Sequence, residues 1–153
     1  MKTLIASVVV VAATATFSAG VGSASSQANA TSVSKSTLSV GQSRYGRVLF
    51  DGKGRALYGF TRDRRGGASR CYGDCARAWP VYFKSGTLRA GAGVKQRLIG
   101  TTKRKNGRLQ VTYNGWPLYY YVHDTQPGQI TCQNVLEYGG TWLVVSPRGR
   151  LVR

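Results

Sequence analysis

Acidic residues are scarce in this chain: five Asp and Glu stand against twenty-two Lys and Arg. There is one histidine, His123, with three cysteines and four prolines, and no stretch holds the 3.6-residue apolar period of a long helix. Each scarcity excludes something. A hydrolase needs paired carboxylates or a nucleophile beside a base. Here Asp63 and Asp124 precede turn sequences, and Asp51 and Asp74 occupy turn positions themselves, which leaves little for a catalytic pair. No catalytic residue and no cofactor is expected. No Cys-x-x-Cys-His haem attachment or Cys-x-x-Cys redox site occurs, and the Cys and His spacing fits no standard zinc pattern. Twenty glycines without helical periodicity argue for an all-β domain.

What is present begins with the leader. MKTLIASVVVVAATATF carries one charge, Lys2, then an apolar run of signal-peptide length, and small-residue sites follow at Ala24 and Ala30. Residues 1–30 read as a secretory signal cleaved after one of these, the run being too short to span a bilayer comfortably. No cysteine lies near either site to carry a lipid. Residues 31–43, rich in Ser, Thr and Ala, read as a flexible leader. About 110 residues then remain, from 44 to 153, enough for one modest core. Export implies a protein outside the cytoplasm and an oxidising setting.

A net charge of +17 attracts polyanions such as wall polymers, nucleic acid or lipid headgroups. Fifteen of the cations are arginine, and they are spread along the chain. The densest runs, RDRRGGASR (62–70) and KRKNGR (103–108), fall where turns are expected. That spread suits general adhesion to anionic polymers and predicts no specific nucleic acid site.

The chain repeats itself. LYGFTRD (57–63) matches LYYYVHD (118–124), with Tyr58 and Tyr119 sixty-one residues apart, and the same offset carries Asp63 onto Asp124 and Cys71 onto Cys132. With two residues more, Asp51-Gly52 falls on Asn114-Gly115, Val48 on Val111, Phe50 on Tyr113 and Trp79 on Trp142. The domain therefore reads as two tandem, pseudo-symmetric hairpin-based repeats, about 44–92 and 106–153. In each, a strand (VLF or QVTY) turns through Asp-Gly or Asn-Gly into a return strand, ALYGFT or PLYYYV. WPVYF and TWLVV supply later strands. At most one short helical turn is expected, at DCARAW (74–79), with Asp74 as its cap.

Residues two apart on a strand share a face. Tyr58 with Phe60, and Tyr119 with Tyr121, thus point one way, and Leu57 or Leu118 the other, so the return strands should be covered on both sides. Asp63 and Asp124 then read as turn residues accepting backbone N–H groups two residues on, or as partners for buried tyrosine hydroxyls. His123 aligns with Arg62, so the repeat requires no imidazole there. It adjoins Asp124 on a strand, where neighbours point apart. Cys71, Cys75 and Cys132 allow one disulfide in three ways. Cys71–Cys75 is slightly preferred, the two long-range bridges to Cys132 remain open, and a Cys3His metal site with His123 is the remotest choice.

The duplicated Tyr-x-(Phe/Trp/Tyr)-x-x-Asp motif, YGFTRD and YYYVHD, with CYGDCARAWP, QVTYNGWPLYYY and GGTWLVVSPRG, resembles the bacterial secreted-repeat proteins called predicted lipoproteins with a Yx(FWY)xxD motif. The resemblance covers roughly 45–150. It implies a bacterial protein outside the cytoplasm, built of tandem repeats, and no particular reaction; this sequence has no lipid-attachment cysteine. Three roles follow as expectations: a non-catalytic structural or ligand-binding envelope module, an electrostatic binder of anionic polymers, or a redox or metal-linked protein using Cys and His.

Overall fold

The computed structural model describes residues 37–153. The signal segment 1–30 and the start of the leader lie outside the described residues. The fold is all-β and antiparallel. Strand β1 (Leu38–Ser43) pairs with β2 (Gly46–Asp51), in register from Leu38↔Asp51 to Ser43↔Gly46. Strand β4 (Ile99–Lys103) pairs with β5 (Leu109–Tyr113), and β5 with β6 (Trp116–Pro117). The third sheet runs β3 (Tyr58–Phe60), β8 (Gly140–Val144), β7 (Val135–Glu137).

β1 takes up residues 38–43, which composition alone assigns to the flexible leader 31–43. Leu38 is fully buried and Val40 packs with it, an alternation that the surrounding serines and threonines obscure. β1 and β4 are the opening strands of the two units, with Leu38 and Ile99 sixty-one residues apart, so each unit starts a strand earlier than 44 and 106.

The units also align differently in their second strand. Leu57 N donates to Leu49 O in the first, and Leu118 N to Val111 O in the second. Leu49 is therefore the counterpart of Val111, where alignment by residue type had chosen Val48. A slip of one residue moves a side chain to the opposite face of its strand. Val48 and Phe50 accordingly enter one core cluster, and Val111 and Tyr113 the other. The counterpart of Val48 is Gln110, which is buried and polar.

Both turns between these strands form, with different lengths. Asn114 and Gly115 take positive φ (48° and 79°), the two-residue turn that suits strand twist. In the first unit Asp51 N donates to Arg55 O (2.9 Å), closing a longer turn around Lys53 and Gly54. The hairpins are short, however. After the single Phe50↔Ala56 bridge the first return strand leaves β2 and pairs with β8 of the other unit, at Tyr58↔Val144 and Phe60↔Trp142. The second return segment reciprocates, but past β6 it makes only isolated bridges, Tyr119↔Val81 and Tyr119↔Tyr58. It ends in a turn that carries His123, where the sequence suggested a continuous strand. Leu49 N donates to Val145 O and Val111 N to Tyr82 O, both at 2.8 Å. Each unit thus contributes its late strand to the other.

The two return strands meet at their equivalent residues. Tyr58 N donates to Tyr119 O and Tyr119 N to Tyr58 O, both at 2.9 Å, which puts a local two-fold axis between them. Leu57 and Leu118 are buried in one cluster and Tyr58, Phe60 and Tyr119 in the other, so these strands are covered on both faces. A single helical turn, α1 (Asp74–Ala78), follows Gly73, whose φ of 56° occupies the cap position expected of Asp74. Asp74 is the first helical residue instead and pairs with Arg77. A 3-10 turn covers Gln96–Leu98.

Candidate functional site

The six motif residues converge on the two-fold axis. Down one face of the return strands runs a ladder of four rings. Phe60 stacks on Trp142 (4.1 Å between centroids), Trp142 on Trp79 (4.0 Å), and Trp79 packs against Tyr121 (4.7 Å). The ladder is symmetric, since Phe60 corresponds to Tyr121 and Trp142 to Trp79. Tyr58 stands edge-on to Trp79 and Tyr119 edge-on to Trp142, the geometry favoured by ring quadrupoles. Trp79 Nε1 donates to Glu137 Oε2 (2.9 Å), while the buried Trp142 Nε1 has no partner among the described residues.

The hydroxyls cross the axis as well. Tyr58 Oη donates to Asp124 Oδ2 (2.5 Å), and Tyr119 Oη to Asp63 Oδ2 (2.6 Å). Each aspartate therefore serves the tyrosine of the other unit. Their second oxygens fasten the following loop: Asp63 Oδ1 accepts from Arg70 N (2.7 Å), and Asp124 Oδ1 from Thr131 N (3.0 Å) and Oγ1 (2.6 Å). The reach is seven residues, where the sequence suggested two, so a whole loop is closed rather than a tight turn. Burial pushes both tyrosines far above the ordinary phenol range, and the aspartate acceptors push them further. Burial also raises Asp63, against the lowering effects of Tyr119, Arg70 N and the nearby Arg104 charge.

Arg104 was not distinguishable in the sequence from its basic neighbours, yet it is buried. Its Nη1 donates to Ser69 Oγ (2.6 Å) and Gln110 Oε1 (2.8 Å), and its Nη2 to Cys71 O (2.6 Å). Ser69 Oγ in turn lies 2.7 Å from Tyr119 Oη. With β2 and β5 correctly aligned, Gln110 reads as a polar residue facing the core, the one sequence signal that could have announced this network.

Cys71 and Cys75 form a disulfide, and Cys132 is a buried thiol that burial shifts upward in pKa. The long-range bridges to Cys132 are not made. His123 is exposed, its ring edge-on to Tyr121 at 5.2 Å, while the adjacent Asp124 is engaged by Tyr58 and Thr131. Among the described residues no group of three or more His, Cys, Asp and Glu is placed to hold a metal ion.

All five Asp and Glu side chains are occupied. Asp51 accepts from Lys53 N, Arg55 N and Tyr120 Oη, Asp74 pairs with Arg77, and Glu137 holds Trp79; Asp63 and Asp124 hold the tyrosines. The fold and motif network together define a two-unit β-domain locked by exchanged strands and reciprocal Tyr–Asp bonds. A family model described as a secreted repeat of unknown function matches residues 39–82 and 100–146, one copy per unit and more than half of the chain. The chain belongs to that family of secreted repeats. No curated protein and no solved structure matches it. Among the described residues no helix is long and apolar enough to cross a membrane.

Proposed function

We propose that this chain is a non-catalytic bacterial module that acts after export, in the cell envelope or its surroundings. The occupancy of its carboxylates carries this reading. General acid–base and nucleophilic chemistry need a carboxylate or imidazole able to exchange a proton with a substrate. Here every carboxylate is bound into a turn, a loop, an ion pair or a ring contact, and His123 has no carboxylate partner. Conserving the fold, and with it a binding surface, is what these residues do. The test is complementation in a strain lacking the protein. A His123→Ala, Cys132→Ser chain that is folded and exported should restore the wild-type envelope phenotype fully; failure of that folded variant would overturn the reading.

A second reading, electrostatic binding of anionic polymers, is favoured by the scarcity of neutralisation. Arg77–Asp74 is the one ion pair among the described residues, so most of the cations face solvent uncompensated.

A further inference from the structure

The two densest basic runs, 62–70 and 103–108, lie far apart in sequence and side by side in the fold. Buried Arg104 joins them by reaching from the second run to Ser69 within the first and to Cys71 just after it. Two recesses flank the contact and share Tyr72 as a common wall. One, of about 520 Å³, is lined by Arg62, Arg70, Asp74 and Tyr138; the other, of about 400 Å³, by Ala76, Phe83 and Lys105. Arg108 sits over the Phe83 ring at 3.4 Å and so extends the second recess. Arg62, Arg70, Lys105 and Arg108 are all exposed, and none has a carboxylate partner. The sole carboxylate on these walls, Asp74, is held by Arg77. Tyr72 stands inside the five-residue Cys71–Cys75 loop, which the disulfide closes, and Arg104 and Lys105 lie over its ring at 4.2 and 5.1 Å.

We propose that the recesses on either side of Tyr72 form one binding groove for a linear polyphosphodiester without bases, of the polyol-phosphate kind. This rests on the reading of the chain as a binder of anionic polymers and names the place and the ligand class. Four exposed, unpaired cations along a floor closed by a disulfide suit several phosphates in succession, whose binding releases counterions. Single-stranded nucleic acid needs free aromatic faces on which bases stack. Two of the three rings here already carry cations, Tyr72 beneath Arg104 and Lys105 and Phe83 beneath Arg108, which leaves Tyr138 alone as an open face, too few for a run of stacked bases, so charge does the recognising.

The test measures binding of the mature, oxidised chain to a fluorescent glycerol-phosphate oligomer across a salt series. A groove variant (Arg62→Gln, Arg70→Gln, Lys105→Gln, Arg108→Gln) is compared with a control that removes four exposed cations elsewhere (Arg47→Gln, Lys53→Gln, Arg148→Gln, Arg150→Gln). Both lose the same charge, so they differ only in where it is lost. The groove variant should lose affinity by about tenfold or more beyond the control, with a shallower salt dependence. Equal losses in the two variants would overturn the groove and leave general polyanion binding standing. No salt-sensitive binding by the wild type would overturn both. Tighter binding of single-stranded DNA of equal charge would overturn the choice of polymer. Near-UV circular dichroism checks that each variant keeps the ring ladder.

Discussion

Tyr58 and Tyr119 each have two duties, one in the backbone and one at the hydroxyl. Their main chains bond each other across the axis, and their hydroxyls bond the opposite unit's aspartate. Losing one hydroxyl leaves a buried carboxylate short of a donor, at a cost of about 1–3 kcal/mol. Tyr58→Phe should therefore destabilise the fold by that amount in a denaturant titration. In a double-mutant cycle with Asp124→Asn the two changes should couple strongly. Tyr58→Phe and Asp124→Asn effects that simply add would show that the bond contributes nothing across the axis. The pairing of Tyr58 with Asp124 could not be read from the repeat, because identity at fixed offsets reports which residues correspond and not which ones touch. LYYYVHD announced a tyrosine needing a partner and an aspartate able to be one; the exchange of partners between units is a tertiary fact.

At the level of strands, the turns and the return strands were legible because Asp-Gly, Asn-Gly and the Leu-Tyr pattern are local signals. Three features were not. β1 is six residues with only Leu38 and Val40 as apolar markers. The alignment of β2 with β5 differs by one residue from the one residue types suggest, because Val matches Val more obviously than Leu matches Val. The pairing of β3 with β8 spans some eighty residues, and no local preference specifies it. That exchange has a direct consequence for stability. Trp142, Leu143 and Val144 are buried on the strand that pairs with β3 of the first unit, each worth about 1.5–3 kcal/mol of burial. Their combined loss is comparable to the whole stability of a small domain, about 5–15 kcal/mol. Residues 37–92 and 93–153, expressed separately, should each lack near-UV dichroism, and mixing should restore it in a one-to-one complex. A half that shows native dichroism as a monomer, by sedimentation of the same sample, would contradict the exchange.

For the whole molecule, the buried tyrosines set an upper pH limit. An unfolded tyrosine loses its proton near pH 10. Tyr58, Tyr82, Tyr119 and Tyr120 hold theirs well above that in the folded chain, chiefly through burial. A raised folded pKa means that the stabilisation is complete below about pH 10 and is lost as the pH rises beyond it. The fully buried pair, Tyr58 and Tyr119, alone contributes a loss of about 3 kcal/mol per pH unit. The protein should unfold cooperatively one to two units above pH 10, by about the margin of an ordinary domain's stability. Tyrosinate absorbance from these residues should rise together with loss of near-UV dichroism. Ionisation of Tyr58 or Tyr119 with the dichroism intact would show that they are accessible in the native state.

The strand exchange also constrains how such a protein could arise and grow. A unit whose closing strand comes from another unit is finished only by meeting a copy of itself, so one unit on its own would close only as a symmetric dimer. Joining two copies in one chain makes that encounter intramolecular, at an effective concentration no separate subunit reaches. The joint also lets the halves differ: one has a disulfide where the other keeps a lone buried thiol, and one holds a buried arginine. The architecture therefore counts in twos. A chain with a third unit would carry an open strand edge, and would need a second such chain to close it.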